Sequence, residues 1–497
     1  MNNIIKTIII SILTFVYVPI FGQNSNVLYL DLNQTIEKAQ DSSLTAFRYK
    51  NMYLSNYWSY RNYKANRLPS LSLNLVPVSY NRQLIQRYDS ENDIDVYRQQ
   101  KSYSASGSLM LSQNFDPLGG TFFIQSSLDY LRYFGANTYN QFTSAPFSIG
   151  YQHNMFGFNQ FKWDKKIEPL KFEKAKLQYL YNAEQIASNA VTYFFNLAQA
   201  QVRYKNAINN AQKADTTLII AERRFKIASI TKTDLMDIQL EIVNAKNEIA
   251  QAEVDMQKAS LALTSFLGID KSTKIELILP ENPNELIIDN ELALEYLHKN
   301  SYQLLENKQS VLEAEKEYDR IKKSNRMTIS VNANVGFNQQ AEEIADAYKD
   351  LMRKDVISVS MAIPIMDWGM RKGQKNQAES NLNIAKIDQE QQIQELEQNL
   401  TITIGELNSR YNMLQSALTA QNLANEIYQE NILRFQEGSC NITTLTSSQQ
   451  RMVSAQNNYI SSLYQYWYCY YNLRQQTLFD FDKGISLSEQ FDFDNLR

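Results

Sequence analysis

The sequence predicts an α+β membrane protein built from an internal duplication, and three observations support this fold class. Only 14 Gly and 9 Pro occur among the 497 residues, which favours long uninterrupted elements over many short ones. Apolar residues recur at spacings of three and four in long stretches and at every second position in short ones. The same order of long and short stretches then appears again in the second half of the chain.

Residues 1–22 are predicted to form a secretory signal peptide. A single lysine precedes an apolar run that ends at the small residue Gly22. The run is shorter than the ~20 residues of a membrane-spanning helix, so an N-terminal anchor is the less favoured alternative. The rest of the sequence contains no long apolar run, so we expect the mature chain to enter a membrane only through β-strands.

Composition and motifs argue against several function classes. The net charge of -4 and the absence of a basic run give no reason to expect nucleic-acid binding. Two cysteines and two histidines without metal-ligand spacing predict neither a disulfide framework, a metal site nor a cofactor. Hydrolase, phosphate-loop and dinucleotide-binding motifs do not occur, so an enzyme is not predicted.

The duplication is visible as two alignments of the chain with itself. At an offset of 210, RFKIASITKTDL (224–235) aligns with RFQEGSCNITTL (434–445). Nearer the N-terminus the best offset is 258, which aligns LSLN (71–74) with ISVN (329–332). The difference, 258 minus 210, means that the first half carries 48 additional residues between Asn74 and Phe147.

Each repeat is predicted to contain a helix, two strands and a long helical pair. In the first repeat (23–267) these are 32–66, strands 70–80 and 146–156, an inserted hairpin 103–132, and the helical pair 160–267. In the second repeat (291–476) they are 291–325, strands 327–337 and 356–366, and the helical pair 370–476. Residues 268–290 link the repeats and 477–497 form a C-terminal tail.

The predicted helical pairs carry apolar seams of the coiled-coil type. Neither Gly nor Pro occurs between Leu170 and Leu267. The spacing of three and four is followed in the second repeat by Ile393, Leu396, Leu400, Ile404, Leu407, Tyr411, Leu414 and Leu418. Helices of this length are not needed to build a compact globular core.

The predicted strands alternate between apolar and polar residues and have about the length of a transmembrane strand. A soluble sandwich would show the same alternation. The signal peptide favours the membrane interpretation, as does the isolation of each strand pair between long helices, since two strands cannot bury an apolar face within one repeat. The inserted runs 103–113 and 121–132, joined by FDPLGG, are expected to add two strands to the sheet rather than to stand above the membrane.

The duplicated layout, the sequence LPSLSL at 68–73, the sequence PIMDWG at 364–369 and the paired RF-x-x-[AG]-S turns resemble the TolC-type outer-membrane efflux protein family over essentially the whole mature chain. The resemblance implies a trimeric, shared transmembrane β-barrel continued by a long periplasmic α-helical barrel. Residues 268–290 and the tail would form its equatorial region. It also implies a location in the outer membrane of a Gram-negative cell, in contact with outer-membrane lipid.

The function implied by this resemblance is that of a passive exit duct in a tripartite efflux or type I secretion system. A periplasmic adaptor (membrane fusion) protein would dock on the homotrimer, and an inner-membrane pump would supply the energy. The alternative is a secreted or envelope-associated coiled-coil protein that acts as a structural spacer.

The resemblance places adaptor docking at the two helix-to-helix turns of the periplasmic tip. The first turn then comprises Phe225, Ala228 and Ser229. The second comprises Phe435, Gly438, Ser439 and Cys440. Glycine is expected where the backbone needs positive φ or close approach, so the second turn is the stronger candidate for docking. Cys440 stands where family members carry a basic residue that helps to latch the closed state, so that latch must differ here.

Asp234 and Asp237 are candidates for charge at the pore entrance. Threefold repetition would turn them into rings of negative charge, which favour cations in a pore. Asp234 also lies near the start of a predicted helix, where a carboxylate is stabilised by free backbone N–H groups. The sequence leaves both interpretations open for Asp234 and favours the pore for Asp237.

Overall fold

A computed structural model describes residues 27–134, 138–227 and 230–496. The predicted signal peptide and the turn residues Ala228 and Ser229 lie outside this described part.

Helices account for most of the chain. The α-helices are α1 Leu32–Ser42, α2 Leu44–Ala65, α3 Gln160–Lys226, α4 Lys232–Leu267, α5 Asn290–Asn300, α6 Tyr302–Ser324, α7 Met370–Glu437, α8 Ile442–Thr477 and α9 Leu487–Gln490. The strands are β1 Val27–Leu30, β2 Ser70–Asp89, β3 Ile94–Phe115, β4 Gly120–Phe134, β5 Tyr139–Met155, β6 Lys274–Leu277, β7 Thr328–Ala341, β8 Met352–Ala362, β9 Phe479–Asp480 and β10 Ile485–Ser486.

The chain divides into two compact units. The helical unit contains the described residues up to Asn51, Tyr179–Asn300 and Glu397–Asp492. The sheet unit contains Met52–Gln178, Ser301–Leu396 and the described residues from Phe493.

The core of the helical unit is formed by side chains from α1, α3, α4, α5, α7 and α8, and the α7 seam contributes Leu400, Leu407 and Leu414. Phe194, Leu263, Leu297, Leu463 and Leu473 are fully buried there. Strand β1 pairs in parallel with β6, which lies within the predicted linker. The seams read from the sequence therefore meet in a core that also includes the chain between the repeats.

The leading helix of each repeat differs from its prediction, because it is two helices rather than one. The predicted helix 32–66 is interrupted at Ser43, and the predicted helix 291–325 at Ser301; both serines have extended backbone angles. The Ser43 hydroxyl accepts a hydrogen bond from the Ala46 N–H at 3.0 Å and so caps the start of α2. In the sequence, a serine that stands between two stretches of helical apolar spacing indicates such a break.

The sheet unit contains one six-stranded sheet in the order β2-β3-β4-β5-β7-β8. All neighbouring strands are antiparallel, and β5 joins the first repeat to β7 of the second. The inserted residues form β3 and β4 and belong to this sheet. Strands β2 and β8 are its two edges.

Several strands differ in length from their predictions. Strand β2 continues to Asp89 instead of ending at residue 80, because the polar stretch after it pairs with β3 as far as Asp89 opposite Ile94. Strand β5 likewise begins at Tyr139 rather than at 146. Strand β8 ends at Ala362, before Pro364, which has no N–H to donate to a ladder.

Candidate functional site

One face of the six-stranded sheet is apolar across its whole width. Paired residues of an antiparallel sheet point to the same face, so the register identifies its members. In order from β2 to β8 they include Leu71, Leu73, Leu75, Leu109, Leu111, Phe122, Ile124, Phe147, Ile149, Val335, Phe337, Ile357, Val359 and Met361. These side chains are exposed, so the described chain leaves this face uncovered.

A row of aromatic rings crosses strands β3, β4 and β5 on the apolar face, at the end of the sheet that contains the β3–β4 turn. Phe115 and Phe122 have ring centroids 5.8 Å apart, and those of Phe122 and Tyr151 are 4.4 Å apart. Gly120 leaves room for the last ring, because a Cβ there would lie 2.4 Å from the Tyr151 hydroxyl oxygen. We call these rings the near aromatic row.

A second row of rings crosses the same face towards the β2–β3 connection (residues 90–93), and we call it the far aromatic row. Tyr80 is paired with Tyr103, whose ring lies 5.9 Å from that of Tyr130. Tyr130 in turn lies 4.8 Å from the ring of Phe142. Phe122 and Tyr130 are eight residues apart on β4, which is about 27 Å along a strand. Two aromatic rows at this spacing are typical of the lipid-facing band of a transmembrane sheet.

The opposite face of the sheet is polar. It carries Ser72 and Asn74 on β2, with Ser148, Asn332 and Ser358 on the strands of the other half. A sheet with one apolar and one polar face separates lipid from water when it closes on itself.

The second helix-to-helix turn contains a glycine for a conformational reason. Gly438 follows the end of α7 with φ +80°, a region that favours glycine. Its N–H donates to the Phe435 carbonyl at 3.1 Å, and the Ser439 N–H donates to the Arg434 carbonyl at 2.9 Å. These two bonds are those of a Schellman motif, which satisfies the last carbonyls of a helix.

Phe435 does not lie on the surface of this turn. Only 6% of the residue is exposed, and it packs in a cluster with Tyr428 and Leu445, against which Cys440 also packs. Arg224 of α3 covers it: the guanidinium carbon lies 4.8 Å from the Phe435 ring centroid, and Nη2 donates to the Phe435 carbonyl at 2.9 Å. Phe435 therefore holds the shape of the turn from inside.

Phe225, its counterpart in the first repeat, is 40% exposed. Ile227, two residues later, is 76% exposed. The duplication thus gives equivalent aromatics different surroundings, one buried and one accessible to a partner. Ala228 and Ser229 follow in the part of the turn that is not described.

Asp234 completes the N-terminal cap of α4, the helix that leaves the first turn, whose N-cap residue is Thr231. Its carboxylate accepts hydrogen bonds from the Thr231 hydroxyl at 2.7 Å and from the Thr231 N–H at 2.9 Å. The Asp234 N–H returns one to the Thr231 hydroxyl at 3.2 Å, which completes a capping box. The hydroxyl bond, followed by the backbone bond, lowers the pKa of Asp234. The capping interpretation therefore has direct support for Asp234, while Asp237 lies exposed on the same helix.

A buried ion cluster lies in the helical unit, where α3, α8 and the C-terminal tail meet. Arg474 donates from Nε and Nη2 to the two carboxylate oxygens of Glu184 at 2.9 Å each, and from Nη1 to Asp480 at 2.9 Å. Glu184 is 4% exposed and Asp480 is 3% exposed. Burial raises the pKa of Glu184, against the effect of Arg474. The Tyr470 hydroxyl donates to the other Asp480 oxygen at 2.7 Å.

The four long helices of the helical unit form a layer in the order α4-α3-α8-α7. Tyr193 of α3 stacks on Phe266 of α4 at 4.6 Å. Gln449 of α8 donates to Asn210 of α3 at 2.7 Å. Arg410 of α7 donates to Gln465 of α8, also at 2.7 Å. The outer helices carry exposed apolar side chains, namely Met236, Leu240 and Val243 on α4 and Ile402, Met413, Leu423, Ile427 and Leu433 on α7.

Two features of these sites were not predicted from the sequence. The sequence identifies Arg224 only as a repeated residue, because its contact with Phe435 depends on which helices are neighbours. The ion cluster did leave a signal, because Glu184 interrupts a run of buried positions that includes Ala187 and Val191. A charged residue on such a face usually has a partner.

Within the described residues, no group of His, Cys, Asp and Glu side chains is arranged to hold a metal ion. Among the helices described, none combines the length and apolar character needed to cross a bilayer.

Comparison with known proteins identifies relatives of this fold. Residues 299–476 match the family model described as "Outer membrane efflux protein". The cobalt-zinc-cadmium resistance protein CzcC of Cupriavidus metallidurans is 24% identical over 292 residues, which cover 56% of this chain and 64% of CzcC. The aligned segment thus spans just under two thirds of that relative.

Solved structures share the fold over nearly the whole chain. A membrane protein from Pseudomonas aeruginosa superposes with a TM-score of 0.65 at 15% identity, covering 93% of both chains. The CmeC outer membrane channel of Campylobacter jejuni gives a TM-score of 0.67 at 13% identity, covering 93% of this chain and 88% of CmeC.

The predicted α+β fold class is confirmed by these likenesses. The predicted outer-membrane location is confirmed as well. The predicted resemblance to the TolC-type outer membrane efflux proteins is confirmed, with the direct family match over residues 299–476 in the second repeat.

Proposed function

We propose that three copies of the chain close into an outer-membrane channel that conducts substrates passively out of the cell. The observation that carries this proposal is the six-stranded sheet with one uncovered apolar face and two free edges, β2 and β8. Unpaired strand edges are strongly unfavourable in lipid. Edge β8 of one copy pairing with edge β2 of the next is a head-to-tail contact, which closes into a ring.

Strand number supports an open pore. Three sheets of six strands would give a barrel of eighteen strands, a size that leaves an aqueous channel. Each repeat has one pair of equivalent strands, β2 with β5 and β7 with β8, and these would supply four strands per copy. Strands β3 and β4 would therefore enlarge the barrel. The polar face of the sheet would line this channel.

The helical unit supports the same closure independently. Its layer ends on α4 of the first repeat and α7 of the second, and both outer helices carry uncovered apolar side chains. Packing α7 of one copy against α4 of the next would bury them and form a helical barrel. A coiled-coil spacer, the alternative function, would need no apolar sheet face.

In this proposal a periplasmic adaptor docks at the helix-to-helix turns, and an inner-membrane pump supplies the substrate. Of the predicted docking residues that the structure describes, Phe225, Gly438 and Ser439 are exposed and Cys440 is partly exposed. Phe435 contributes by fixing the second turn. Asp237 faces solvent and would bring one negative charge per copy to the pore entrance, whereas Asp234 acts mainly as a helix cap.

The channel is tested by reconstituting the purified protein in planar bilayers, beside a variant that lacks residues 90–137. This deletion removes β3 and β4 and brings β2 next to β5. We expect both proteins to migrate as heat-modifiable trimers and the variant to have a distinctly lower single-channel conductance, because pore diameter grows with strand number. A monomer without conductance would contradict the proposed function.

A further inference from the structure

Three basic side chains cluster on the apolar face of the sheet, on the side of the far aromatic row that is nearer the β2–β3 connection (residues 90–93). Arg82 on β2 lies directly opposite Lys101 on β3. Arg132 on β4 lies opposite Tyr103, two residues from Lys101 on the same face. We call these three residues the distal basic cluster.

The positive charges of the distal basic cluster are not neutralised by carboxylates of the described part of the chain. Like charges directly opposite each other on neighbouring strands destabilise a sheet. None of the three residues forms an ion pair within the described part of the chain. Asp129 belongs to the opposite face, and Asp95 accepts a hydrogen bond from Gln86 further along the hairpin.

Neutral neighbours nevertheless hold two of the three side chains. When the Gln99 side-chain amide is oriented with its oxygen towards Arg82, that oxygen accepts hydrogen bonds from Arg82 Nε and Nη2 at 2.6 Å each. The Arg132 guanidinium carbon lies 5.2 Å from the ring centroid of Phe134. The cations are thus oriented but keep their charge, as a site for an anion requires.

The level of the cluster relative to the bilayer follows from the aromatic rows. Tyrosine rings of a transmembrane sheet lie at the boundary between hydrocarbon and headgroups. Arg82 is two residues beyond Tyr80, and Lys101 is two residues from Tyr103 towards the β2–β3 connection, which is about 7 Å along each strand. The cluster would therefore lie among the lipid headgroups.

We propose that the distal basic cluster binds the phosphate groups of a phosphorylated lipid in the outer leaflet. Arginine binds phosphate oxygens through two parallel N–H donors, and lysine adds a point charge. The inference rests on the proposed function, because it requires the sheet to stand in the outer membrane. All three residues lie in or opposite the inserted hairpin, so the insertion supplies a lipid anchor as well as strands.

The test uses trimers in phosphatidylcholine nanodiscs that contain either lipid A or dephosphorylated lipid A, with retained lipid counted by native mass spectrometry. Lipid A is expected to be retained far more than its dephosphorylated form. The variant R82Q/K101Q/R132Q is expected to bind lipid A on the order of 100-fold more weakly, since each basic residue near an anionic surface contributes roughly fivefold. The control K349Q/K354Q/K372Q removes three cations elsewhere and should retain lipid A normally.

Equal retention of both lipids by the unmodified trimer would overturn the proposal without any variant. Unchanged retention by R82Q/K101Q/R132Q would also overturn it. Conductance is recorded on the same samples: conducting trimers without phosphate-dependent retention refute only the lipid site, whereas absence of trimers refutes the channel itself.

Discussion

Replacing Arg474 with Met is expected to lower the free energy of unfolding of the helical unit by about 3–5 kcal/mol. The substitution would leave Glu184 and Asp480 buried without the guanidinium that binds both. The three groups come from α3, α8 and the C-terminal tail, so their loss would loosen the place where these segments meet. Removing one partner of a buried pair costs far more than the pair contributes over apolar residues.

The measurement is denaturant unfolding followed by tryptophan fluorescence in a background with Trp58, Trp163 and Trp368 changed to Phe, so that the signal comes from Trp467, whose ring lies 5.7 Å from that of Tyr470. Arg451→Met, on an exposed part of the same helix, is the matched control and should change little. Adding Glu184→Gln to Arg474→Met should recover much of the loss, because it removes one uncompensated charge. A loss below about 1 kcal/mol for Arg474→Met would show that water reaches the cluster, contrary to its burial.

Replacing Gly336 with Val is expected to reduce the assembled, heat-modifiable fraction roughly 5- to 30-fold. A Cβ at this position would lie 2.6 Å from the Phe147 carbonyl oxygen and 2.8 Å from the Ser148 Cα. Both atoms belong to the backbone of β5, which cannot move aside as a flexible side chain can. The clash falls on the β5–β7 pairing that joins the two repeats.

The control is Ala333→Val, three residues earlier on the same strand and on the apolar face. It adds two carbon atoms, against three for Gly336→Val, where the sheet is uncovered, so assembly should be nearly normal. Assembly is measured as the trimer band in unheated gels of outer-membrane fractions. Equal trimer yields for the two variants would contradict the assigned β5–β7 register.

The architecture could be predicted in outline because its signals are periodic and repeated. The offset of 210 residues matched the two turns, and alternation located strands in both repeats. The observed strands differ from the predicted ones where a segment has the sequence pattern of a loop but pairs with a neighbouring strand. The polar stretch after Tyr80 looked like a loop, yet it forms strand because β3 pairs with it as far as Ile94.

The site was only partly predictable for a related reason. The φ of Gly438 and the cap at Asp234 depend on a few neighbouring residues, and the sequence was enough to suggest both. The burial of Phe435 beneath Arg224 depends on which helix lies beside the turn, which repeat symmetry does not determine. Equivalent residues Phe225 and Phe435 therefore could not be distinguished from the sequence.

The central claim is that the sheet of one copy is completed by the edges of others. We would place one cysteine at Leu73 on β2 and a second, in separate variants, at Asp355, Ile357, Val359 or Met361 on β8, with Cys440 changed to Ser. Oxidation in the membrane should give covalent dimers and trimers at the matching register, because paired strands bring opposite residues within disulfide reach. The control joins Val359→Cys to Ile124→Cys on the central strand β4 and should stay monomeric. Monomers at every β8 position would contradict the account.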